Sequence, residues 1–267
     1  MLRFLRKSIP LKRFVGDLPV IGKRFRNWMH YQHPFDREFG VETSGFVPSE
    51  EIERETGRSG MVPYAGTHPS SVRRILERLP DPETFTLVDL GCGKGRILAV
   101  ASEFPLCRII GVELTPSLAA CARRNGEIIA AKFPQRTRIE VFEGDVLTFV
   151  PEERVIFFNY HAFSRELLAQ VIAGLENQLG RQLSLGFFAY LNPVCADLLD
   201  RSARWSRWCA ETVPHGKGEL GFGFGERDSI VAWQSVPNAY PPLPGAGRRV
   251  IIKDPLWNAE LEPATGG

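Results

Sequence analysis

Between residues 70 and 191, short apolar runs alternate with stretches whose apolar positions fall at helical spacing. Ser70 and Ser71 precede Val72, Ile75, Leu76 and Leu79, a helix-period stripe that Pro80 closes. Residues 85–90 read as a buried strand, followed by a glycine loop and the apolar stretch 97–102. A second strand is predicted over 108–113, then a helix over 115–132 with Pro116 in its first turn, where a missing N–H leaves no bond unmade. Third and fourth strands follow over 138–142 and 155–159, a helix over 165–179 and a fifth strand over 185–191. Such strand–helix alternation predicts a parallel sheet covered by helices on both faces. The pattern then changes. Residues 205–213 and 229–236 predict two further strands, and the glycine-rich stretch 215–225 joins them. That connection suits a hairpin-like pair and places one antiparallel strand near an edge of the sheet. The expected fold is therefore α/β and doubly wound, with seven strands, mostly parallel.

The flanks carry weaker signals. Residues 34–69 are expected to be an irregular lead-in, punctuated by Gly40, Gly45, Pro48, Gly57, Gly60, Pro63 and Gly66. Residues 237–267 read as a Pro/Gly-rich tail, with Pro237, Pro241, Pro242, Pro244, Gly245 and Gly247. Before the lead-in, residues 1–33 mix apolar and basic positions, and Pro10, Gly16 and Pro19 limit them to short helical turns. The expected organisation is a basic arm over 1–33, a main α/β domain over 34–236 and the tail over 237–267.

Composition narrows the class. Of 267 residues, 43% are hydrophobic and 24% charged, which fits a globular chain and excludes a collagen-like, coiled-coil or disordered one. The 33 basic and 31 acidic residues nearly balance, but their distribution is uneven. Arg3, Arg6, Lys7, Lys12, Arg13, Lys23, Arg24 and Arg26 face only Asp17 within residues 1–33, so a basic arm precedes a mildly acidic body. Such an arm suits weak contact with an anionic membrane or a nucleic acid; an extension solvated or packed on the body is the alternative. Cys92, Cys107, Cys121, Cys195 and Cys209 form no C-x-x-C pair, as expected of reduced thiols in the cytoplasm, with the arm allowing a membrane-peripheral position. No apolar run is long enough to span a bilayer, and the first residues lack the apolar core of a secretory signal. His30, His33, His68 and His215 share no ligand spacing, so no metal is expected.

The chemistry concentrates in Val88-Asp89-Leu90-Gly91-Cys92-Gly93-Lys94-Gly95-Arg96, a strand running through alternate glycines into a helix. Missing side chains let a ligand approach the backbone, and a helix start offers unpaired N–H donors. A dinucleotide fingerprint needs its third glycine one place later, where Arg96 stands. A tight structural turn is the bland alternative. Two acids in register raise the specificity. Glu113 ends the second predicted strand, where a carboxylate can accept both hydroxyls of a ribose. Glu143-Gly144-Asp145 follows the third, where an acid can meet an adenine amino group or simply form a turn. All these groups fall at the carboxyl ends of adjacent strands, the expected ligand crevice of an open α/β sheet.

On these residues the chain resembles the class I S-adenosylmethionine-dependent methyltransferases, which have a Rossmann-like fold. VDLGCGKG is similar to their glycine-rich first motif, GVE to their ribose-binding acid and EGDV to their adenine-side acid, over about residues 60–236. The resemblance implies S-adenosyl-L-methionine as cofactor, with Asp89, Gly91, Cys92 and Gly93 around its methionine part, Glu113 on the ribose and Asp145 near the adenine. Upstream, Val62-Pro63-Tyr64-Ala65-Gly66-Thr67-His68-Pro69 resembles a Y-x-x-T-x-P segment of some members, protein-lysine methyltransferases outside the SET fold among them. It implies that the Tyr64 and Thr67 hydroxyls meet the cofactor's carboxylate and amine.

After the fourth strand, Asn159-Tyr160-His161-Ala162-Phe163 lacks the Pro-Pro of an Asn/Asp-Pro-Pro-aromatic motif but is similar to the N-N-F-A-F of non-SET histone-lysine methyltransferases. The departure speaks against methylation of DNA bases. It leaves Asn159, Tyr160 and His161 as candidate catalytic residues, with Asn159 also at the cofactor. His161 could act as a general base or be a hydrogen-bonded structural histidine. Tyr160 and Phe163 could offer ring faces to a cation. The implied activity is methyl transfer by in-line displacement to a protein lysine amine or a small metabolite. Rival readings are a non-catalytic cofactor-binding module with an RNA- or membrane-associating arm, and a nicotinamide-dependent oxidoreductase.

Overall fold

A computed structural model describes residues 32–150, 153–222, 225–254 and 258–263. The basic arm, apart from its last two residues, lies outside the described residues. Short elements lead in: α1 (Pro34–Phe39), β1 (Phe46–Val47), α2 (Ser49–Thr56), β2 (Tyr64–Ala65) and α3 (Pro69–Leu76). The alternating body follows with β3 (Thr86–Leu90), α4 (Arg96–Ala101), β4 (Arg108–Glu113), α5 (Pro116–Lys132), β5 (Ile139–Glu143), β6 (Glu153–Tyr160), α6 (Arg165–Gln178) and β7 (Leu183–Leu191). The chain continues through α7 (Ala196–Asp200), β8 (Trp205–Pro214), β9 (Arg227–Ser235), β10 (Val250–Asp254) and β11 (Asn258–Leu261).

Seven strands form one sheet in the order β5-β4-β3-β6-β7-β9-β8. The first five positions are parallel, and β9 runs antiparallel to both β7 and β8. Chain order reverses between β3 and β6, the switch point where open α/β sheets bind ligands. The near-continuous apolar strands reflect burial on both faces. Leu87, Ile109, Ile156, Phe158 and Phe187 point into one core, with residues of α1, α3, α4 and α5. Their neighbours Val88, Ile110, Val112, Phe157 and Phe188 point into the other, with residues of α6 and α7. Helices thus cover both faces, as the alternation predicts.

Two flanking expectations differ from the structure. The lead-in is not irregular throughout: it holds α1, α2 and the antiparallel pair β1–β2. The glycines that read as loop punctuation at 40 and 57 are helix stops, with φ of +76° and +68° and N–H groups that bond back to Asp36 and Glu53 carbonyls. The tail is likewise ordered in part. β10 and β11 pair antiparallel, and alternate residues Ala259 and Leu261 are buried in the core beside α6. The Leu243 N–H donates to the Trp208 carbonyl at 2.7 Å, which fixes the intervening loop on β8. No described helix is long and apolar enough to cross a membrane.

Candidate active site

β3 delivers the glycine loop to the switch point. Gly91, Gly93 and Gly95 all have positive φ, of +78°, +54° and +81°, a region that L side chains adopt only under strain. Two of them are also closely approached. A Cβ on Gly93 would lie 2.3 Å from the Tyr64 ring, and one on Gly91 would lie 2.7 Å from the Ala162 Cβ. The loop is thus walled by the lead-in on one side and by the turn after β6 on the other.

These walls enclose a cleft of ≈ 890 Å³, counting the open space at its mouth. Tyr64, Thr67, Asp89, Gly91, Cys92, Gly93, Glu113, Asp145, Tyr160, His161 and Phe163 all line it. Asn159 does not. It is fully buried at the end of β6, where its Oδ1 accepts the Ala162 N–H at 3.1 Å and its Nδ2 has no hydrogen-bond partner. That bond shapes the turn which turns His161 and Phe163 toward the cleft, with His161 at a positive φ of +46°.

The acids differ in their partners. Glu113 accepts the Gly93 N–H and the Thr115 N–H, both at 2.8 Å, so it ties the end of β4 to the glycine loop. Burial pushes its carboxyl up, against the pull of those N–H groups. Asp89 is almost wholly buried, and its Oδ2 has no hydrogen-bond partner. Burial, and after it the Glu113 charge, raises the Asp89 carboxyl well above the usual carboxylate range. Asp145 accepts the Leu147 N–H at 2.9 Å and pairs with Arg58 at 2.6 Å. Burial pushes its carboxyl up, but those two partners outweigh it and hold the group below its ordinary value. Arg58 and Asp145 both line the cleft, so their pair joins the lead-in to the loop after β5.

Tyr64 is placed differently from the expectation. Its hydroxyl donates to the Thr43 carbonyl at 2.7 Å, and its ring, rather than a free hydroxyl, faces Gly93. The Thr67 carbonyl accepts from Arg96 at 3.2 Å. On the opposite wall, His161 Nδ1 lies 3.2 Å from the Tyr190 hydroxyl. Four cysteines are buried and Cys107 is exposed, all as free thiols.

Parts of the chain are similar to several methyltransferases. No family model matches the chain. The release factor glutamine methyltransferase of Escherichia coli (strain K12) is 44% identical over 62 residues, 23% of this chain and 22% of that protein. The ribosomal protein L11 methyltransferase of Aeromonas hydrophila subsp. hydrophila is 23% identical over 199 residues, 69% of this chain and 65% of that one. The strand order is that of the Rossmann-like methyltransferase fold, and both of these relatives are methyltransferases. The matches with the first curated relatives span 22% of their length. Among solved structures, an RNA methyltransferase from Salinibacter ruber in complex with S-adenosyl-L-homocysteine is 22% identical, with 66% of this chain and 97% of that one covered at a TM-score of 0.42.

Sequence reasoning missed the group that holds the lead-in to the glycine loop. Arg96, the first residue of α4, is buried and donates to Thr43 Oγ1 at 2.6 Å and Ser44 Oγ at 3.2 Å. Its guanidinium lies 3.8 Å from the wholly buried Asp36 carboxylate. Asp36 in turn accepts the Thr43 and Ser44 N–H groups at 2.8 and 2.7 Å. The available signal was Arg96 itself, a charged residue among the apolar positions of a short helix.

Proposed function

We propose that the protein transfers the methyl group of S-adenosylmethionine to a protein side-chain amine or a small metabolite. The observation that carries this reading is the buried Asp89 carboxyl, whose Oδ2 has no hydrogen-bond partner beside a glycine cradle. A buried carboxyl oxygen left without a partner is costly unless a ligand completes it, and the cofactor's α-ammonium is a donor of the right charge. The remaining residues suit the rest of the cofactor. Glu113 uses a lone pair of one oxygen for Gly93 and one of the other for Thr115, and keeps capacity for two ribose hydroxyls. The Arg58–Asp145 pair closes the side assigned to the adenine. When bound, S-adenosylmethionine supplies a methyl group on an electrophilic sulfonium.

The chain's own contribution is alignment and exclusion of water. Tyr160, Ala162 and Phe163 form an apolar and aromatic wall on the acceptor side. His161, oriented by the Tyr190 hydroxyl, takes the proton of an acceptor that arrives protonated. Asn159 acts through the turn it braces and is assigned a positioning role. The decisive test is calorimetric titration with S-adenosylmethionine and, separately, NADH, followed by transfer of labelled methyl to extract proteins and metabolites. Binding of S-adenosylmethionine alone with label transfer supports the reading. Binding of NADH alone, or cofactor binding with no transfer to any fraction, overturns it.

A further inference from the structure

β1 and β2 pair antiparallel, with Val47 opposite Tyr64, so the segment 48–63 between them is a loop closed at its base. That base is firmly held. The Tyr64 hydroxyl donates to the Thr43 carbonyl, and the buried Arg96 donates to Thr43 Oγ1 before the loop and to the Thr67 carbonyl after it. One side of the segment faces the ligand space, since Ile52, Arg58, Met61, Val62 and Pro63 all line the cleft. α2 contributes a single apolar side chain to it, Ile52, and the rest of that helix is polar. After α2, Glu53 Oε1 accepts the Gly60 N–H at 2.6 Å and the Met61 N–H at 3.3 Å, which folds the turn back onto the helix. Gly57 and Gly60 stand in open space on either side of Arg58, where a Cβ would meet nothing within 4 Å.

The outer part of the loop is fastened at two points beside the half of the cleft assigned to the adenosine. Glu55 accepts the Ser117 N–H at 2.5 Å and the Ser117 hydroxyl at 2.7 Å, in the first turn of α5. Arg58 pairs with Asp145 at 2.6 Å, on the loop after β5. The two ends of the loop differ in strength. Thr43, Thr67 and Arg96 at its base are buried, whereas Glu55, Arg58 and Ser117 are exposed, and exposed charged contacts contribute little in water. A loop anchored at its base and lightly fastened further out can open without unfolding what lies beneath it. We infer that residues 48–63 are a lid over the adenosine half of the cleft, latched by Glu55 to Ser117 and by Arg58 to Asp145. Release of both latches admits S-adenosylmethionine and frees S-adenosyl-L-homocysteine after transfer. The inference rests on the cofactor reading given above, and it adds the route by which the cofactor is exchanged.

The test compares the full 267-residue chain with Glu55→Ala, Arg58→Ala and the double variant. Both side chains are exposed, so the fold is not at stake. Association and dissociation of S-adenosylmethionine and S-adenosyl-L-homocysteine are followed by surface plasmon resonance at low and high salt. Each single loss should speed dissociation roughly 2–5-fold and the double loss roughly 4–25-fold, the scale of exposed contacts, with association faster as well. High salt should speed dissociation more in the parent than in Arg58→Ala, which has no ion pair left to screen. A second readout needs no cofactor: hydrogen exchange over residues 48–63, read by mass spectrometry, should quicken in the latch variants while the sheet stays unchanged. Cofactor exchange in the double variant as slow as in the parent, or hydrogen exchange over 48–63 unmoved by either loss, overturns the lid. A parent that binds no S-adenosylmethionine overturns the cofactor reading instead, and hydrogen exchange in the variants still decides whether Glu55 and Arg58 hold the loop closed.

Discussion

Gly93→Ala should destabilise the protein by about 2–5 kcal/mol, and the structure separates that figure into two parts. The backbone at Gly93 has φ +54°, where an L residue pays roughly 1–2 kcal/mol for crowding of its Cβ. The new Cβ would also stand 2.3 Å from two Tyr64 ring carbons. Carbon atoms prefer about 3.5–4.0 Å, so the ring must retreat by more than an ångström. It cannot do so freely, because its hydroxyl is bonded to the Thr43 carbonyl at 2.7 Å. Overpacking of this kind costs about 1–3 kcal/mol. The assay is urea denaturation of the parent, Gly93→Ala, Tyr64→Ala and the double variant, compared at unchanged m-value. Removing the ring should cancel the steric part, so the two substitutions should couple by about 1–3 kcal/mol while the φ part persists. A Gly93→Ala midpoint equal to the parent's, or penalties that simply add, would refute the contact between this ring and the loop.

Four further outcomes are expected. Burial raises the Asp89 carboxyl, so between the ordinary carboxylate range and its folded value the native state binds more protons than the unfolded one, and stability falls as pH rises. Asp89→Asn should remove that decline, seen in denaturation at several pH values, while weakening S-adenosylmethionine binding by about 1.5–3 kcal/mol. Glu113→Ala should weaken the cofactor by a similar amount, about 1.5–3 kcal/mol, and Glu113→Gln by less, since an amide keeps one acceptor; equal affinities in calorimetry would count against the assignment. Burial, and next the Arg96 charge, lowers the His33 imidazole from 6.5 to about 3, so stability should be lost on acidification through that window. His33→Asn should flatten this acid limb of the stability–pH curve. Arg96→Met leaves the Asp36 carboxylate without its cation and should cost about 3–5 kcal/mol, part of it recovered by adding Asp36→Asn, which a double-mutant cycle measures.

The sheet was legible because each strand is a contiguous run whose burial on both faces demands apolar residues. Predicted and observed strands accordingly differ only at their ends, as with 155–159 against Glu153–Tyr160. The glycine loop and Glu113 were legible for a related reason: strand ends are fixed by the same runs, and the ligand edge follows from topology. The lead-in was not. α1 and α2 are too short for a helical period to stand out, and the glycines that end them read equally well as loop residues. β11 escaped notice because a buried Ala259 and Leu261 around an exposed Glu260 make only one alternation. Long-range polar groups were out of reach in principle. Asp36 with Arg96, and Arg58 with Asp145, are joined by folding alone, and spacing along the chain carries no trace of either pair.

Arg96 also gives a physical reason for the glycine spacing. In a dinucleotide fingerprint that position is a glycine, needed for close packing of helix against strand. Here the side chain at 96 leaves the helix start toward the lead-in and passes under Gly66, where a Cβ would lie 2.5 Å from its Nη1. It then holds Thr43, Ser44 and the Thr67 carbonyl together with Asp36. Those bonds fix the chain on either side of Tyr64, whose ring covers Gly93, and fix Thr67 at the cleft wall. The residue that spoils a pyrophosphate site is thus the one that anchors the wall over the glycine loop. Loss of Arg96 should therefore weaken cofactor binding by releasing Tyr64 and Thr67, which calorimetric titration of Arg96→Met with S-adenosylmethionine would read. A cleft built this way favours a compact ligand end with its own charge, such as an amino acid moiety, over an extended pair of phosphates.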